Sequence, residues 1–261
     1  MKIALLISTY NWPQALGLIL KAVKNQTRLP DVILIADDGS GAETQSLIKA
    51  FQAEISVPIQ HVWQEDKGFR KAKILNKAVA ATDADYILQI DGDCVPERHF
   101  VEDHIKNSEE NCFLYGARAS ILRDFVAERI NTGKTEFTLF SKGLKKKGRI
   151  LHIPFFAGFY KKHLSFSEKF RGCNFSFWRK DFLSVNGYNE DFEGWGLEDS
   201  DLAIRMTNNQ VFSRRLRYCG IVFHLDHPVS AQDRVSENNA IQCQTIKNKI
   251  KWCKNGVSQY L

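Results

Sequence analysis

The stretch that most limits what this chain can fold into is residues 86–96, YILQIDGDCVP. Its nearly all-apolar beginning is typical of a short strand buried on both faces of a parallel sheet. The strand ends on Asp91, Gly92 and Asp93, at the strand end where open α/β sheets bind their ligands. Two carboxylates one residue apart suit a divalent cation held against a diphosphate, and the glycine allows close backbone approach. A polar strand end followed by a turn gives the same pattern.

Strands and helices alternate through the first half of the chain. Strands are predicted at residues 3–8, 32–36, 59–63 and 86–90, and helices at 13–23, 43–51 and 68–81. Apolar residues have helical spacing in the first helix, and the last is a basic helix that carries Arg70, Lys71, Lys73 and Lys77. This alternation predicts an α/β fold whose mostly parallel central sheet has right-handed crossovers.

Polar side chains follow three of these strands and are expected to meet at one sheet edge. They are Tyr10 with Asn11, Asp37 with Asp38, and Asp91 with Asp93. Neither a G-x-G-x-x-G pattern after the first strand nor a G-x-x-x-x-G-K-[ST] loop is present, which disfavours a dinucleotide cofactor and a P-loop. A nucleotide would therefore be held by an aromatic ring, an aspartate on its base and a metal on its phosphates.

The second half contains an aromatic–acidic segment at residues 192–202, FEGWGLEDSDL. Glycines on both sides of Trp195 let its ring stand out of a tight turn, and acids cluster at the start of a helix predicted from residue 198. Acids at that position suit the helix dipole. A carboxylate beside an exposed aromatic ring is also what a base acting on a sugar needs. Further on, a predicted strand at residues 218–223 ends on His224 and His227, candidate metal ligands.

Residues 122–165 combine helical spacing, a basic run at 142–149 and an aromatic cluster. We expect Phe155 and Phe156 to be core residues, because aromatic side chains are usually buried. The basic run is either a solvated loop or a segment that attracts phosphates or an anionic membrane surface. Nucleic acid is not an expected partner, since no aromatic residues interleave with the basic ones.

Charge, hydropathy and cysteine content indicate where in the cell the protein is expected. The 261 residues carry a net charge of +6 and no apolar run long enough to span a membrane. The N-terminus is predicted to be a strand and not a signal peptide. Six cysteines without a CxxC pair favour reduced thiols in a cytoplasmic protein over a disulfide frame or a zinc site.

Taken in order, these motifs resemble the family 2 glycosyltransferases with the GT-A fold, of the bacterial type with a galactosyltransferase-like C-terminal region. The resemblance covers essentially the whole chain. It rests on five motifs: STYN at 8–11, DDGS at 37–40, DKGFR at 66–70, DGD at 91–93 and GWGLED at 194–199. It implies a single domain over 1–261, with a Rossmann-like nucleotide-sugar half (1–116), an acceptor-binding half (117–232) and a C-terminal helix (233–261).

The resemblance further implies inverting transfer of a sugar from a UDP-sugar to a hydroxyl of a glycan or lipid-linked acceptor, in surface polysaccharide synthesis, with Mn²⁺ or Mg²⁺. Asp91 would face the ribose or the metal, and Asp93 would bind the metal. His224 would complete the metal site, with His227 the less favoured candidate. The enzyme is expected in the cytoplasm, with peripheral contact to the inner face of the membrane.

On the donor side, Thr9 or Tyr10 would pack on the uracil and Asp37 or Asp38 would bind the base. Arg70 and Lys73 would lie near the base or diphosphate, although Lys73 stands where many relatives carry arginine.

On the acceptor side, Asp199 would be the general base, Glu198 would hold a sugar hydroxyl and Trp195 would form the floor of the sugar site. One carboxylate base and no protein nucleophile imply a single displacement, and hence inversion.

Two other functions compete with this interpretation. A nucleotidyltransferase acting on sugar phosphates also places acids after strands, but it usually has a glycine-rich phosphate loop, and residues 3–11 contain no glycine. A lectin-like module would need Trp195 but not the DGD motif. Metal-dependent hydrolysis of a UDP-sugar would separate the transferase from both.

Overall fold

A seven-stranded sheet lies at the centre of the computed structural model, which describes residues 1–228 and 231–261. The strands are β1 (Ile3–Thr9), β2 (Val32–Asp37), β3 (Ile59–Trp63), β4 (Tyr86–Asp91), β5 (Cys94–Pro96), β6 (Cys112–Tyr115), β7 (Ala117–Ile121), β8 (Leu144–Lys145), β9 (Asn174–Trp178), β10 (Phe212–Arg215) and β11 (Ile221–Leu225). The helices are α1 (Pro13–Lys24), α2 (Ala42–Gln52), α3 (Lys71–Ala80), α4 (Phe100–Asn107), α5 (Arg123–Thr132), α6 (Arg179–Ser184), α7 (Glu198–Asn208) and α8 (Val235–Lys247). Short 3₁₀ helices cover Lys147–Arg149, Pro154–Phe159 and Val257–Tyr260.

The central sheet has the strand order β10-β6-β9-β4-β1-β2-β3. Strands β1 to β4 pair in parallel, as the alternation of strands and helices predicted. The register sets Ser8 beside Asp91 and Thr9 beside Asp37. The polar groups that follow these strands therefore meet at one edge. Strand β9 runs antiparallel between β4 and β6, so the sheet is mostly but not entirely parallel.

A second sheet, in the order β5-β11-β7-β8, lies beside this edge. Strand β5 begins three residues after the end of β4 and pairs antiparallel with β11, which sets Cys94 opposite His224. The pairing brings the histidines of the second half next to Asp93, although 130 residues of chain separate them.

Both faces of the central sheet are covered. Alternate residues of β1 enter two different cores: Leu5 and Ile7 pack with α1 and α2, and Ala4 and Leu6 pack with α3 and α7. All four are completely buried. Each leucine or isoleucine stabilises the fold by about 1.5–3 kcal/mol, which explains why β1 and its neighbours are runs of apolar residues.

Several sequence predictions change in detail. Helix α3 begins at Lys71 and not Gly68, His224 lies inside β11, and α8 ends at Lys247. The expectation that Phe155 and Phe156 are core residues was wrong, since they are 78% and 41% exposed. The 3₁₀ turn at Pro154–Phe159 holds the rings outside the cores that the sheets form.

The cysteines are all free, and five of the six are buried. Within the described residues, no helix combines the length and the apolar character needed to cross a membrane.

Candidate active site

The two aspartates of the DGD motif belong to two different clusters. Asp91, the last residue of β4, accepts hydrogen bonds from Ser8 Oγ (2.9 Å) and Lys71 Nζ (2.9 Å). Asp93 instead faces His224 and His227. Between them, a Cβ on Gly92 would lie 2.5 Å from the Ser8 carbonyl oxygen, so only glycine fits there. The glycine lets the backbone turn tightly against β1 from one cluster to the other, and the close approach to a bound ligand that the sequence predicts stays a prediction.

The first cluster has Lys71 at its centre. Its Nζ lies 2.9 Å from Asp91, 3.4 Å from Asp199 and 3.6 Å from Glu198. The lysine begins α3 and the two acids begin α7, so the N-terminal ends of two helices meet over the end of β4. We call this group the lysine cluster.

Burial and charge together set the electrostatics of the lysine cluster. Burial alone would lower the pKa of Lys71, but the charges of Asp199, Asp91 and Glu198 raise it well above its ordinary value. Burial, reinforced by Asp199, raises the pKa of Glu198 to about 7. Burial likewise raises the pKa of Asp199, against the opposing charge of Lys71. The dipole at the start of α7 favours the ionised acids, but burial outweighs it.

Asp199 is held from two further sides. The Tyr188 hydroxyl lies 3.1 Å from Asp199 Oδ1, to which it can donate, and it also contacts both amide atoms of Gln89, at 2.8 Å from Nε2 and 2.9 Å from Oε1. A Cβ on Gly172 would lie 2.0 Å from the Asp199 carboxylate, so the chain passes against it with no room for a side chain. The carboxylate is thus fixed in place, as a positioned base must be.

The third acid of the GWGLEDSD segment has a different task. Asp201 is fully buried and its Oδ2 binds Arg205 Nε at 2.7 Å, one helical turn along α7. Arg205 also donates to the Val185 carbonyl at 2.7 Å. Asp201 therefore anchors α7, and Glu198 and Asp199 are the acids that face Lys71.

Asp93, His224 and His227 form the second cluster, which we call the histidine cluster. Asp93 Oδ2 lies 2.9 Å from His227 Nε2 and 3.4 Å from His224 Nε2. One potential ligand atom from each residue lies within 4.8 Å of the other two. Burial alone would raise the pKa of Asp93, but hydrogen bonds from the two histidines outweigh it and hold the pKa far below its usual range.

The predicted base-binding residues lie at the ends of β1 and β2. Asp37 is fully buried and holds the Ser40 backbone N–H (2.8 Å) and His61 (2.9 Å), so it supports the loop. Asp38 accepts the Arg70 backbone N–H at 2.7 Å. Thr9 is buried, whereas Tyr10 is 53% exposed. Tyr10 is the member of that pair that presents an open ring to a base.

Trp195 and Arg70 line one cleft of about 300 Å³. Gly194 and Gly196 have φ angles of +69° and +107°, which side chains rarely adopt, and they leave Trp195 41% exposed as the sequence predicted. Lys73 opens into a second cleft of about 240 Å³, shared with Arg70. The structure thus groups Trp195 with Arg70 and sets Lys73 on the other side of that arginine.

Sequence reasoning missed Lys71 as a site residue. The basic helix was recognised, but its start was placed at Gly68, which obscures that Lys71 lies on its first turn. The signal that could have found it was the excess of acids at one sheet edge, since Asp91, Glu198 and Asp199 need a buried cation.

The sequence matches two protein families. A family described as glycosyl transferase family 2 matches residues 4–166. A second family, described as the N-terminal domain of galactosyltransferase, matches residues 154–228, in the second half of this chain.

The curated relatives are distant in sequence and longer. An Escherichia coli chondroitin synthase is 23% identical over 280 residues, covering 96% of this chain and 38% of the relative. A Pasteurella multocida hyaluronan synthase is 24% identical over 270 residues, covering 96% of this chain and 27% of the relative. The chain thus spans about a quarter to two fifths of these two relatives.

Solved structures show the same fold. Residues 1–349 of Staphylococcus aureus TarS superpose with a TM-score of 0.64 at 11% identity, covering all of this chain and 68% of that one. The same TarS fragment in complex with UDP gives a TM-score of 0.62 at 14% identity, with the same coverage. The likeness establishes the GT-A arrangement predicted from the sequence.

Proposed function

This chain belongs to glycosyl transferase family 2, and from that membership we propose that it transfers a sugar from a UDP-sugar to a hydroxyl of a glycan acceptor, with inversion at the anomeric carbon. We further propose that it works in the synthesis of a surface polysaccharide, on the cytoplasmic side of the membrane. Its first half (1–116) would bind the donor, its second half (117–232) the acceptor, and residues 233–261 would close the domain.

The observation that carries this proposal is the pair of clusters at the end of β4. The histidine cluster offers ligands for a cation, and the lysine cluster offers a largely buried carboxylate, Asp199, whose pKa burial raises above its ordinary value. A sugar transfer needs both, because negative charge develops on the leaving diphosphate while the acceptor hydroxyl loses its proton.

The residues of the histidine cluster fit a divalent metal. Two imidazoles and a carboxylate form a mixed nitrogen and oxygen donor set, which suits Mn²⁺ better than Mg²⁺, a cation that prefers oxygen alone. Asp93, His224 and His227 would hold it, and Asp91 would bind the ribose or join the metal once Lys71 releases it. When bound, the metal neutralises charge on the leaving UDP.

The lysine cluster would do the proton chemistry. Asp199 would accept the proton of the acceptor hydroxyl as that oxygen attacks the anomeric carbon, while Tyr188 and Lys71 keep its carboxylate in place. Glu198 would hold a sugar hydroxyl, with Trp195 as the floor of the sugar site. Tyr10 and Asp38 would hold the uracil, with Thr9, Asp37, Arg70 and Lys73 as the remaining candidates for the donor.

The direct test is a panel of UDP-sugars assayed for hydrolysis and for thermal stabilisation with Mn²⁺, Mg²⁺ or chelator. We expect at least one donor to be hydrolysed slowly, with Mn²⁺ required, and to raise the melting temperature. Stabilisation by nucleoside triphosphates with release of pyrophosphate, and none by UDP-sugars, would favour a nucleotidyltransferase instead.

We also propose that the basic run holds the enzyme at an anionic membrane surface. Lys142, Lys145, Lys146 and Lys147 are exposed, and each contributes about 1 kcal/mol near such a surface. Eight exposed large apolar side chains occur between residues 139 and 166 and could enter the interface: Leu139, Phe140, Ile153, Phe155, Phe156, Phe159, Leu164 and Phe166.

Co-sedimentation with vesicles tests this contact. We expect binding to vesicles with anionic lipid, weakened by salt and by Phe155→Ser with Phe159→Ser. Equal partitioning to neutral and anionic vesicles would show that the run is an ordinary solvated loop.

A further inference from the structure

A strip of positive charge crosses the second half of the molecule without a matching set of acids. It is formed by six residues that come from four separate segments of the chain, and we call it the cationic strip. Its members are Arg118, Lys146, Arg149, Arg171, Arg215 and Arg217.

Backbone contacts assemble the strip. Arg149 Nη1 donates to the carbonyl of Arg118 at 3.1 Å, and Arg217 Nη2 donates to the carbonyl of Gly148 at 2.6 Å. Arg171 donates to the carbonyl of Glu168 at 2.8 Å. These carbonyls fix where the guanidinium groups lie but leave their charge unneutralised.

The strip is electrostatically costly in the free protein. Across residues 1–228 and 231–261, none of its six members forms a salt bridge. The pKa of Arg149 is lowered mainly by burial. Smaller contributions come from the positive charges of Arg215, Arg217, Arg118 and Arg171.

One donor of the strip lacks a protein partner. Arg217 Nη1 is buried and makes no hydrogen bond to any of residues 1–228 and 231–261. An anion that enters beside it would supply an acceptor.

The strip begins beside the catalytic carboxylate. Arg118 Nη1 lies 3.9 Å from Cys173 Sγ, and the preceding residue, Gly172, lies against Asp199. Arg171 is the next residue back along the chain. A molecule bound along the strip would therefore have one end close to the base that takes its proton.

We propose that the acceptor is an anionic glycan whose carboxylate or phosphate groups lie along the cationic strip. This rests on the proposed transferase function and names the acceptor class of the same site. Arg118 also lies near Asp93 of the histidine cluster, so the diphosphate of a donor would pair with that end of the strip. The acceptor is proposed for the rest of the strip, Arg149, Arg215 and Arg217.

A membrane surface accounts for the strip less well than a bound glycan does. Four of the six members, Arg118, Arg149, Arg215 and Arg217, are partly buried, whereas Lys146 and Arg171 are exposed, as are Lys145 and Lys147 of the basic run. Partly buried guanidinium groups suit small anionic groups that enter a groove, and they present planar pairs of donors to carboxylates and phosphates.

The test measures binding of defined oligosaccharides in the absence of donor, by isothermal titration. One arm uses an oligosaccharide of alternating uronic acid and N-acetylhexosamine, with the same oligosaccharide after reduction of its carboxylates to alcohols as the neutral match. A second arm uses a polyol-phosphate oligomer. We expect the carboxylate or the phosphate oligomer to bind at least tenfold more tightly than the neutral match, and high salt to weaken it.

Charge-removing variants locate the binding. Arg149→Gln and Arg217→Gln should each lower the affinity for the anionic oligomer about tenfold, which is the scale of one charge-assisted hydrogen bond. Lys180→Gln removes the same charge from an exposed lysine paired with Glu110, and it should change nothing. UDP binding and melting temperature are measured for every variant to show that the fold and the donor site persist.

Each outcome decides the proposal. Equal affinity for charged and neutral oligosaccharides, or unchanged affinity in both arginine variants, contradicts it. Loss of anionic vesicle binding in those variants, without oligosaccharide binding in the parent, would assign the strip to a membrane. Absence of UDP binding in the parent would reject the transferase, whereas UDP binding without oligosaccharide preference would reject only the acceptor class.

Discussion

The lysine cluster and the histidine cluster start from carboxylates two residues apart, yet they solve the burial of charge differently. Asp91 is balanced by a lysine that also serves Glu198 and Asp199. Asp93 is balanced by two imidazoles, which are hydrogen-bond donors in one state and metal ligands in another. In the lysine cluster one cation faces three acids, and in the histidine cluster two histidines face one acid.

The difference suits the two aspartates of the DGD motif to two different tasks. A lysine cannot be a metal ligand while protonated, and Lys71 has its pKa raised well above the ordinary value. The lysine cluster is therefore suited to proton transfer and positioning, and the histidine cluster to holding a cation. Substitutions at four positions test this division.

Removal of the base should have the largest effect. Asp199→Asn keeps the size of the side chain but cannot accept the proton, so turnover should fall about 100-fold or more, while UDP affinity changes little. Steady-state kinetics with donor and acceptor varied separately would check this. Near-parental kcat for Asp199→Asn, with a loss in Glu198→Gln, would exchange the roles of the two acids.

Replacing Lys71 with an uncharged residue should lower the stability of the folded protein. Lys71→Met leaves three carboxylates without their partner, which should cost about 3 kcal/mol at pH 8. The loss should be smaller at pH 6, because the acids then neutralise themselves by protonation. Since the charge of Lys71 lowers the pKa of both Glu198 and Asp199, the acid limb of the pH–rate profile should also move to higher pH.

Urea unfolding at the two pH values and a pH–rate profile measure both effects. Lys71→Arg is the matched control, because it keeps the charge and should recover most of the stability. A profile for Lys71→Met that overlays the parent profile would show that Lys71 does not act on the base.

A smaller effect on stability is expected from replacing Glu198, and its size depends on pH. Its pKa is raised to about 7 in the folded protein, above an ordinary value of 4.5, so between these values the folded state holds a proton that the unfolded state has released. That contribution to stability is complete below about pH 4.5 and is lost as the pH rises through 7.

Glu198→Gln should therefore be more stable than the parent by about 2 kcal/mol at pH 8, with little difference at pH 5. In catalysis the same variant should raise the KM of one substrate and lower the rate. Thermal unfolding across pH 5–8 checks the stability, and an equal shift at both ends would show that Glu198 is not buried as an ionised group.

Much of the fold could be predicted because its signals are local. Apolar runs in β1, β2 and β4, each followed by a polar turn, fix parallel strands whose ends share one edge. The antiparallel strand β9 and the pairing of β5 with β11 depend on contacts between distant segments, which no local pattern encodes.

The site divides in the same way. Asp93, Asp199 and Trp195 stand in motifs that the resemblance identifies, but the structure separates them into the histidine cluster, the lysine cluster and the cleft lined by Arg70. Lys71 was missed because its importance comes from three acids gathered by tertiary structure. Phe155 was placed in the core because aromatic side chains usually are buried, and the sequence holds no sign that this one faces outwards.

The division of tasks between the clusters is tested most directly by one isothermal titration series, UDP binding to parent, Asp93→Ala and Asp199→Asn with and without Mn²⁺. We expect the parent and Asp199→Asn to bind UDP more tightly when Mn²⁺ is present. We expect the UDP affinity of Asp93→Ala to be unchanged by Mn²⁺, while its melting temperature without metal shows an intact fold. An undiminished Mn²⁺ effect in Asp93→Ala would contradict the account, because the histidine cluster would then not be the metal site.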